Sequence, residues 1–335
     1  MEPAVLYPLP ENEARILSCQ DCQSKNRVLL SRAFEQPEKL RCGNCQAPLL
    51  CTRDAELLGL QASLYQHPLD QKSLRALEAV PGVSTLLRKL VEFTIGRYDR
   101  LFNESCFVRV GGSQLPSLER LFERAALALG MGSANLPTLY LYQNGELNAY
   151  TGGVDQPYVA LSSALCDLLT EEEIMAVMAH ELSHCQSQHV LYKTAARIFT
   201  YAATSLATAT LGIGNLLLAP LQFALLEWDR CSELTADRGM LLGVRDPVLA
   251  LRVLSKLAAG SIRFAGELSL DRFMEQALRA RQAGETDVLD RIFSVLQTAS
   301  RTHPFPLWRA AELWRWACNG EYLSLLRLAR PPLAR

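Results

Sequence analysis

The sequence predicts an α+β fold, mostly helical, with a small sheet just ahead of one well-marked helix and a small cysteine-bearing module at the N-terminus. Three observations predict it. Apolar residues recur at three- and four-residue spacing over most of the chain. Around residues 136–162 the period drops towards two, and before residue 55 two Cys-x-x-Cys pairs stand where no long periodic helix can be read. With 335 residues, 49% hydrophobic and 21% charged, the chain is globular in composition and long enough for one large domain and a small one. A net charge of −1 offers no basic field for nucleic acid or an acidic membrane surface.

Taken in order, residues 1–55 form the small module, 56–75 read as a linker, and 76–335 form the main domain. The opening "MEPAVLYPLPENEARIL" lacks the charged-then-apolar design of a secretory signal. The ten cysteines are therefore expected as thiols or metal ligands in a reducing compartment, which points to the cytoplasm. Cys19, Cys22, Cys42 and Cys45 follow C-x2-C-x19-C-x2-C, the spacing of a zinc ribbon with one tetrahedral structural zinc, and Gly43 suits a tight knuckle. Helices fill the stretch from Leu74 to Gly130. "LPTLYLYQNGELNAYTGG" predicts a hairpin turning at Asn144-Gly145, because that dipeptide supplies two positive-φ positions. "PYVALSSAL" follows as a further extended run. Later helices are expected near 171–188, 194–211, 216–242, 247–258, 270–281, 286–299 and 305–317.

The helix at 171–188 carries the chemistry. Thr170 with Glu173 three residues on is a capping box that marks its start. His180 and His184, four apart, share one face and can offer two nitrogens to a zinc ion. Glu181 can take a proton from water that such a metal activates. His189 is five residues beyond His184, about 140° further round a continued helix, and is expected to be a surface or capping residue. Its spacing also misses the H-x-x-G-x-x-H pattern, since position 187 is Ser and the required histidine position is Val190. Further on, "WDRCSELTADRGML" places Glu233 and Asp237 one turn apart. Glu233 can ligate zinc, and Asp237 can accept the free ring N–H of a zinc-bound histidine.

These motifs resemble the HtpX-like gluzincin metalloendopeptidases, relatives of the CAAX prenyl proteases. The resemblance runs over about residues 75–317 through HELSH, ELTAD, "LNAYTGG", "YVALSSALCDLL" and "RTHPFPLWRA". It implies Glu233 as the third protein ligand, with His303 and Arg309 stabilising the oxyanion that amide hydrolysis creates. It also implies that the strand before the zinc helix pairs with an extended protein or peptide substrate. Ser183 stands where the family often has Gly.

Residues 198–226 contain no charge, but "GIGN" at 212–215 splits them into halves too short to cross a bilayer. A buried helical hairpin is the expectation, and membrane association through the same run is the alternative. The expected activity is a zinc metalloendopeptidase with one catalytic and one structural zinc, in a protein quality-control setting. A chaperone-like binding module with little proteolysis is the competing reading, motivated by the ribbon and the uncharged run.

Overall fold

The structure, a computed structural model, describes residues 7–51, 55–57, 59–94, 96–132, 136–154, 156–196, 198, 213–284, 303 and 305–327. At the N-terminus β1 (Ala14–Ser18) and β2 (Lys25–Leu29) pair antiparallel, and α1 (Leu30–Glu35) follows. The stretch expected as a linker carries α2 (Ala62–Tyr65) and the start of α3 (Pro68–Glu78), capped by the His67 side chain on the amide of Leu69. Tyr65, His67 and Asp70 in it are buried. Then come α4 (Val83–Thr94), α5 (Gly96–Cys106), the short β3 (Val108–Arg109) and α6 (Pro116–Ala128).

The central sheet adds β4 (Thr138–Tyr142), β5 (Ala149–Gly152) and β6 (Tyr158–Ser162) in the order β3-β4-β6-β5. This corrects the expected hairpin. β4 and β5 are not partners: β4 runs parallel to β6, with Thr138 opposite Tyr158, and β5 pairs antiparallel with β6. Neither Asn144 nor Gly145 has positive φ. Asn144 instead accepts from the Glu146 amide through Oδ1, an Asx turn that lets the chain step across β6. β6 is buried at all five positions, as an inserted central strand must be. One sheet face gathers Tyr140, Tyr142, Tyr150, Tyr158 and Phe107, while Leu139, Ala149, Val159 and Leu161 on the other join the main core. β5 is thereby an edge strand.

After α7 (Ser163–Leu168) comes α8 (Glu171–Gln186), whose capping box is formed as expected. Every residue from Glu173 to His184 is buried, so α8 is a core helix rather than an amphipathic surface one. Its end is a Schellman motif: the His189 amide bonds the His184 carbonyl at 3.0 Å and the Gln188 amide bonds that of Cys185 at 3.1 Å. Gln188 occupies the left-handed position, φ 56. Gln188→Gly should therefore raise stability by up to about 1 kcal/mol, read as a higher midpoint in thermal denaturation.

Helix resumes as α9 (residues 190–196), and α10 (Ile213–Val244) is the longest described helix, with Pro220 inside it. α11 (Pro247–Ala259), α12 (Leu270–Gly284), α13 (Pro306–Cys318) and α14 (Glu321–Leu325) follow among the described residues. The helix expected at 286–299 and most of that at 194–211 lie outside the described residues. No described helix is long and apolar enough to cross a membrane.

α8 and α10 meet along a seam of small residues. A Cβ built on Gly239 would lie 2.3 Å from the Ser183 Cβ, and one on Gly243 would lie 2.4 Å from the Ala179 Cβ. Only glycine allows this approach, and on α8 the residues after Ala179 and Ser183 are His180 and His184. A single apolar core joins α6, α8, α11 and α13 to the N-terminal module, with Trp314 set 4.9 Å from Tyr7 and 5.9 Å from Phe34 between ring centroids.

Candidate active site

Four residues apart on each helix, His180 and His184 of α8 face Glu233 and Asp237 of α10. His180 Nε2 lies 3.4 Å from Glu233 Oε2, and His184 Nε2 lies 3.3 Å from Glu233 Oε1. All four side chains are buried. His180 Nδ1 sits 3.1 Å from Asp237 Oδ1. Asp237 in turn accepts two bonds from Arg309, from Nε at 2.8 Å and from an Nη at 2.6 Å, while the other Nη stands 3.1 Å from Glu233. Lys193 donates to Glu233 at 2.6 Å and to Asp229 at 2.8 Å. His303 Nδ1 is 2.7 Å from Glu233 Oε2, and its Nε2 is 2.7 Å from the carbonyl of Ala149 on β5.

These contacts set the charges. Burial by itself would raise the Glu233 carboxyl, but Lys193, then His303 and Arg309, hold it well below the usual carboxylate range. Burial likewise opposes ionisation of Asp237, and Arg309 overrides it. For His184, burial and then the Lys193 charge keep the ring far below its ordinary value and hence neutral. Burial disfavours a cation on His180 too, yet Asp237 and Glu233 carry it up to about 9.

The expected surface histidine is not on the surface. His189 is fully buried, its Nδ1 3.0 Å from His184 Nδ1 and its Nε2 3.1 Å from Asp70 Oδ2. The reason is the Schellman turn: the helix stops at Gln186, so an angle extrapolated along a continued helix does not apply, and the left-handed Gln188 folds His189 back behind His184. His189 does not join the atoms that converge on Glu233.

Glu181 is also positioned by a residue with no motif around it. Thr151, buried on β5, donates to Glu181 Oε2 at 2.6 Å. Glu181 Oε1 is left towards a cavity of about 520 Å³ lined in part by His180, Glu181, His303 and Arg309 and walled by apolar side chains such as Val177 and Leu254. His303 Nε2 stands 3.5 Å from Glu181 Oε1.

Whether this donor set suits a metal can be judged from unpaired atoms. Among the described residues, His180 Nε2, His184 Nε2 and Glu181 Oε1 are buried without a hydrogen-bond partner. Such groups cost about 1–3 kcal/mol each unless something satisfies them. Ligand atoms about 2.0–2.1 Å from a tetrahedral zinc stand about 3.3 Å from one another, and the two histidine–Glu233 separations, each to a different carboxylate oxygen, are of that size. His180, Glu233 and His303 can also bring one ligand atom each within 4.8 Å of the others. Two imidazoles and a carboxylate are a zinc donor set.

A family profile described as Peptidase family M48 matches residues 113–317, which take in both helices, the sheet from β4 onwards, His303 and Arg309. The chain belongs to peptidase family M48. The M48 chain is 34% identical over 294 residues to the plastoglobule-localized metallopeptidase 48, chloroplastic, of Arabidopsis thaliana, covering 87% of this chain and 82% of that protein. It is 27% identical over 246 residues to a protease HtpX homolog of Ralstonia pickettii, covering 67% of this chain and 80% of the relative. No solved structure matches it. This M48 chain is a zinc-dependent metalloendopeptidase acting on peptide bonds of proteins, as the resemblance implied.

Outside the M48 match, Cys19, Cys22, Cys42 and Cys45 form one cluster, with Cys19 Sγ 3.5 Å from Cys45 Sγ and Cys22 Sγ 3.6 Å from Cys42 Sγ. The two loops repeat each other: Gln23 and Gln46, each just after a second cysteine, are left-handed at φ 60 and 61 and return an amide to Cys19 and Cys42. Gly43, the expected knuckle residue, has no positive φ and instead donates its amide to Asn26 at 2.9 Å. The Ser24 hydroxyl, 3.0 Å from Cys42 Sγ, draws that thiol down to about 5, towards the thiolate that binds metal.

Sequence reasoning missed Thr151, Lys193, Asp229, Asp70 and His189. The first three carry no local signal, since they act across elements. Asp70 had one: His67-Pro68 is a cap followed by proline at the first helical position, which marks a helix start inside the supposed linker.

Proposed function

We propose that His180, His184 and Glu233 hold the catalytic zinc and that Glu181 is the general base. The observation that carries this is the pair of partnerless imidazole nitrogens facing the two oxygens of Glu233 at 3.3 and 3.4 Å. Zinc there would supply Lewis-acid activation of water and of the scissile carbonyl. Glu181, held through Oε2 by Thr151, takes the proton of the attacking water on Oε1 and returns it to the departing amide nitrogen. Asp237 orients His180 and is itself gripped by Arg309. His303, 3.5 Å from Glu181 Oε1, is placed to stabilise the oxyanion, and Arg309 adds positive charge from behind the two carboxylates. An extended substrate adds to the free edge of β5, whose Ala149 carbonyl points away from β6.

Residues 1–55 form a ribbon module holding a structural zinc, 76–335 form the peptidase unit, and the 56–75 segment between them supplies Asp70 to the site. The setting is protein quality control in the reducing cytoplasm. In the alternative, the run at 198–226 attaches the chain to a membrane, a reading that flotation with lipid vesicles decides.

Metal analysis of the purified chain should give two zinc ions, and Cys42→Ser one, with cleavage of an unfolded protein lost on chelation and regained with zinc. One ion in the unaltered chain would eliminate one of the two sites.

A further inference from the structure

We propose that His189 and Asp70 are positioning residues for metal binding: an oriented hydrogen-bond relay, running from His184 through His189 to Asp70, that fixes the ring of His184. The proposal rests on the reading of His184 as a metal ligand.

The relay follows from which atoms face which. His184 turns Nε2 towards Glu233 and Nδ1 towards His189. A ring that ligates through Nε2 is neutral and carries its hydrogen on Nδ1. It must therefore donate, and His189 Nδ1 at 3.0 Å must accept. That fixes the hydrogen of His189 on Nε2, where Asp70 Oδ2 waits at 3.1 Å. Both tautomers are thus set by one constraint, and every bond in the series has a donor at one end and an acceptor at the other. Had Asp70 been an amine or His189 a lysine, the series could not close.

Asp70 is in turn fixed. Its Oδ2 accepts from Thr235 Oγ1 at 2.6 Å and from Gln66 Nε2 at 3.2 Å, and Thr235 Oγ1 accepts the His67 amide at 3.0 Å. Thr235 lies on α10 between Glu233 and Asp237, so the relay ends on the helix that supplies the carboxylates. His189 also packs edge-on against Trp228, with ring centroids 5.5 Å apart at 86°. His184, His189, Asp70 and Thr235 are all fully buried, so water does not compete for these bonds.

The local fold explains the pairing. In a Schellman motif the residue at the C″ position commonly makes an apolar contact with the one at C3. Here those positions are His189 and His184, and two imidazoles replace the apolar pair. The helix stop thereby also buttresses one ligand, while Asp237 with Arg309 does the same for the other. A carboxylate behind a ligating histidine is a common arrangement. In this chain a second histidine is interposed, which lets a carboxylate from a separate helix, α3, serve His184.

The test uses the full zinc-loaded chain and three forms of position 189. Zinc affinity of the catalytic site is read by chelator competition, with the ribbon ion as internal reference. His189→Leu should weaken catalytic-site zinc about 10–100-fold. His189→Gln, whose Oε1 and Nε2 can replace the acceptor and the donor, should restore affinity close to that of the unaltered chain. Leu binding as tightly as His, or Gln no better than Leu, would overturn the relay. If the Leu variant does not fold, nitrogen-15 spectra of the unaltered, zinc-loaded chain decide, since only five histidines need assigning. Hydrogen on Nδ1 of His184 and on Nε2 of His189 is expected, and the opposite tautomers would refute it. An unaltered chain that keeps only the ribbon zinc would instead refute the metal reading itself.

Discussion

Glu181→Gln is expected to slow peptide-bond hydrolysis by about 10²–10⁴-fold, some 3–5 kcal/mol in barrier height, while the chain keeps its full zinc content. The substitution is close to isosteric, and a glutamine oxygen can still accept the Thr151 hydroxyl that now bonds Oε2 at 2.6 Å. Folding and metal binding are therefore preserved. What is lost is the ability of the group at Oε1, buried and without a hydrogen-bond partner among the described residues, to accept a proton. The measurement pairs cleavage of an unfolded protein with metal analysis of the same preparation. Unchanged cleavage with zinc in place would remove Glu181 from the chemistry.

Gly239→Ala should be the most damaging change that touches no chemical group. The added methyl would sit 2.3 Å from the Ser183 Cβ and 2.4 Å from its Oγ. A Cβ cannot rotate out of the way, so α8 and α10 must part by about 1 Å to reach ordinary contact. Overpacking of this kind costs about 1–3 kcal/mol, and the same movement draws His180 and His184 away from Glu233. The expected result is a lower melting temperature together with weaker zinc retention. Adding Ser183→Gly should recover part of both, because it empties the space that the methyl needs. Recovery will be incomplete, since Ser183 Oγ also bonds the Tyr65 hydroxyl at 3.0 Å. A G239A chain with unaltered melting and zinc content would show that the seam does not set the site.

How far the sequence could be read depended on the range over which each feature is determined. His180 with His184, and Glu233 with Asp237, were legible because a spacing of four on one helix is a local fact. The capping box at Thr170 was legible for the same reason. The crossing that brings the two helices together was not, because it depends on which small residues face each other, and Gly239 gives no sign of meeting Ser183. The sheet failed at Asn144-Gly145: the dipeptide is a good turn, but whether the strands on either side pair depends on a third strand later in the chain, β6. His189 failed for a different reason. An angle along a continuing helix does not hold beyond Gln186, where α8 ends, and one left-handed residue, Gln188, turns the side chain inward. Asp70 is hidden because its short, Pro-containing stretch has the composition of a connector although it packs against the site.

α13 has one further consequence. Its first turn supplies Arg309, which grips Asp237 and Glu233, and five residues later Trp314 is wedged against Tyr7 and Phe34 of the N-terminal module. A rigid helix thus joins the aromatic packing of the N-terminal module to the arginine that anchors the two carboxylates. Seating of the N-terminal module and anchoring of the two carboxylates therefore depend on one and the same rigid body.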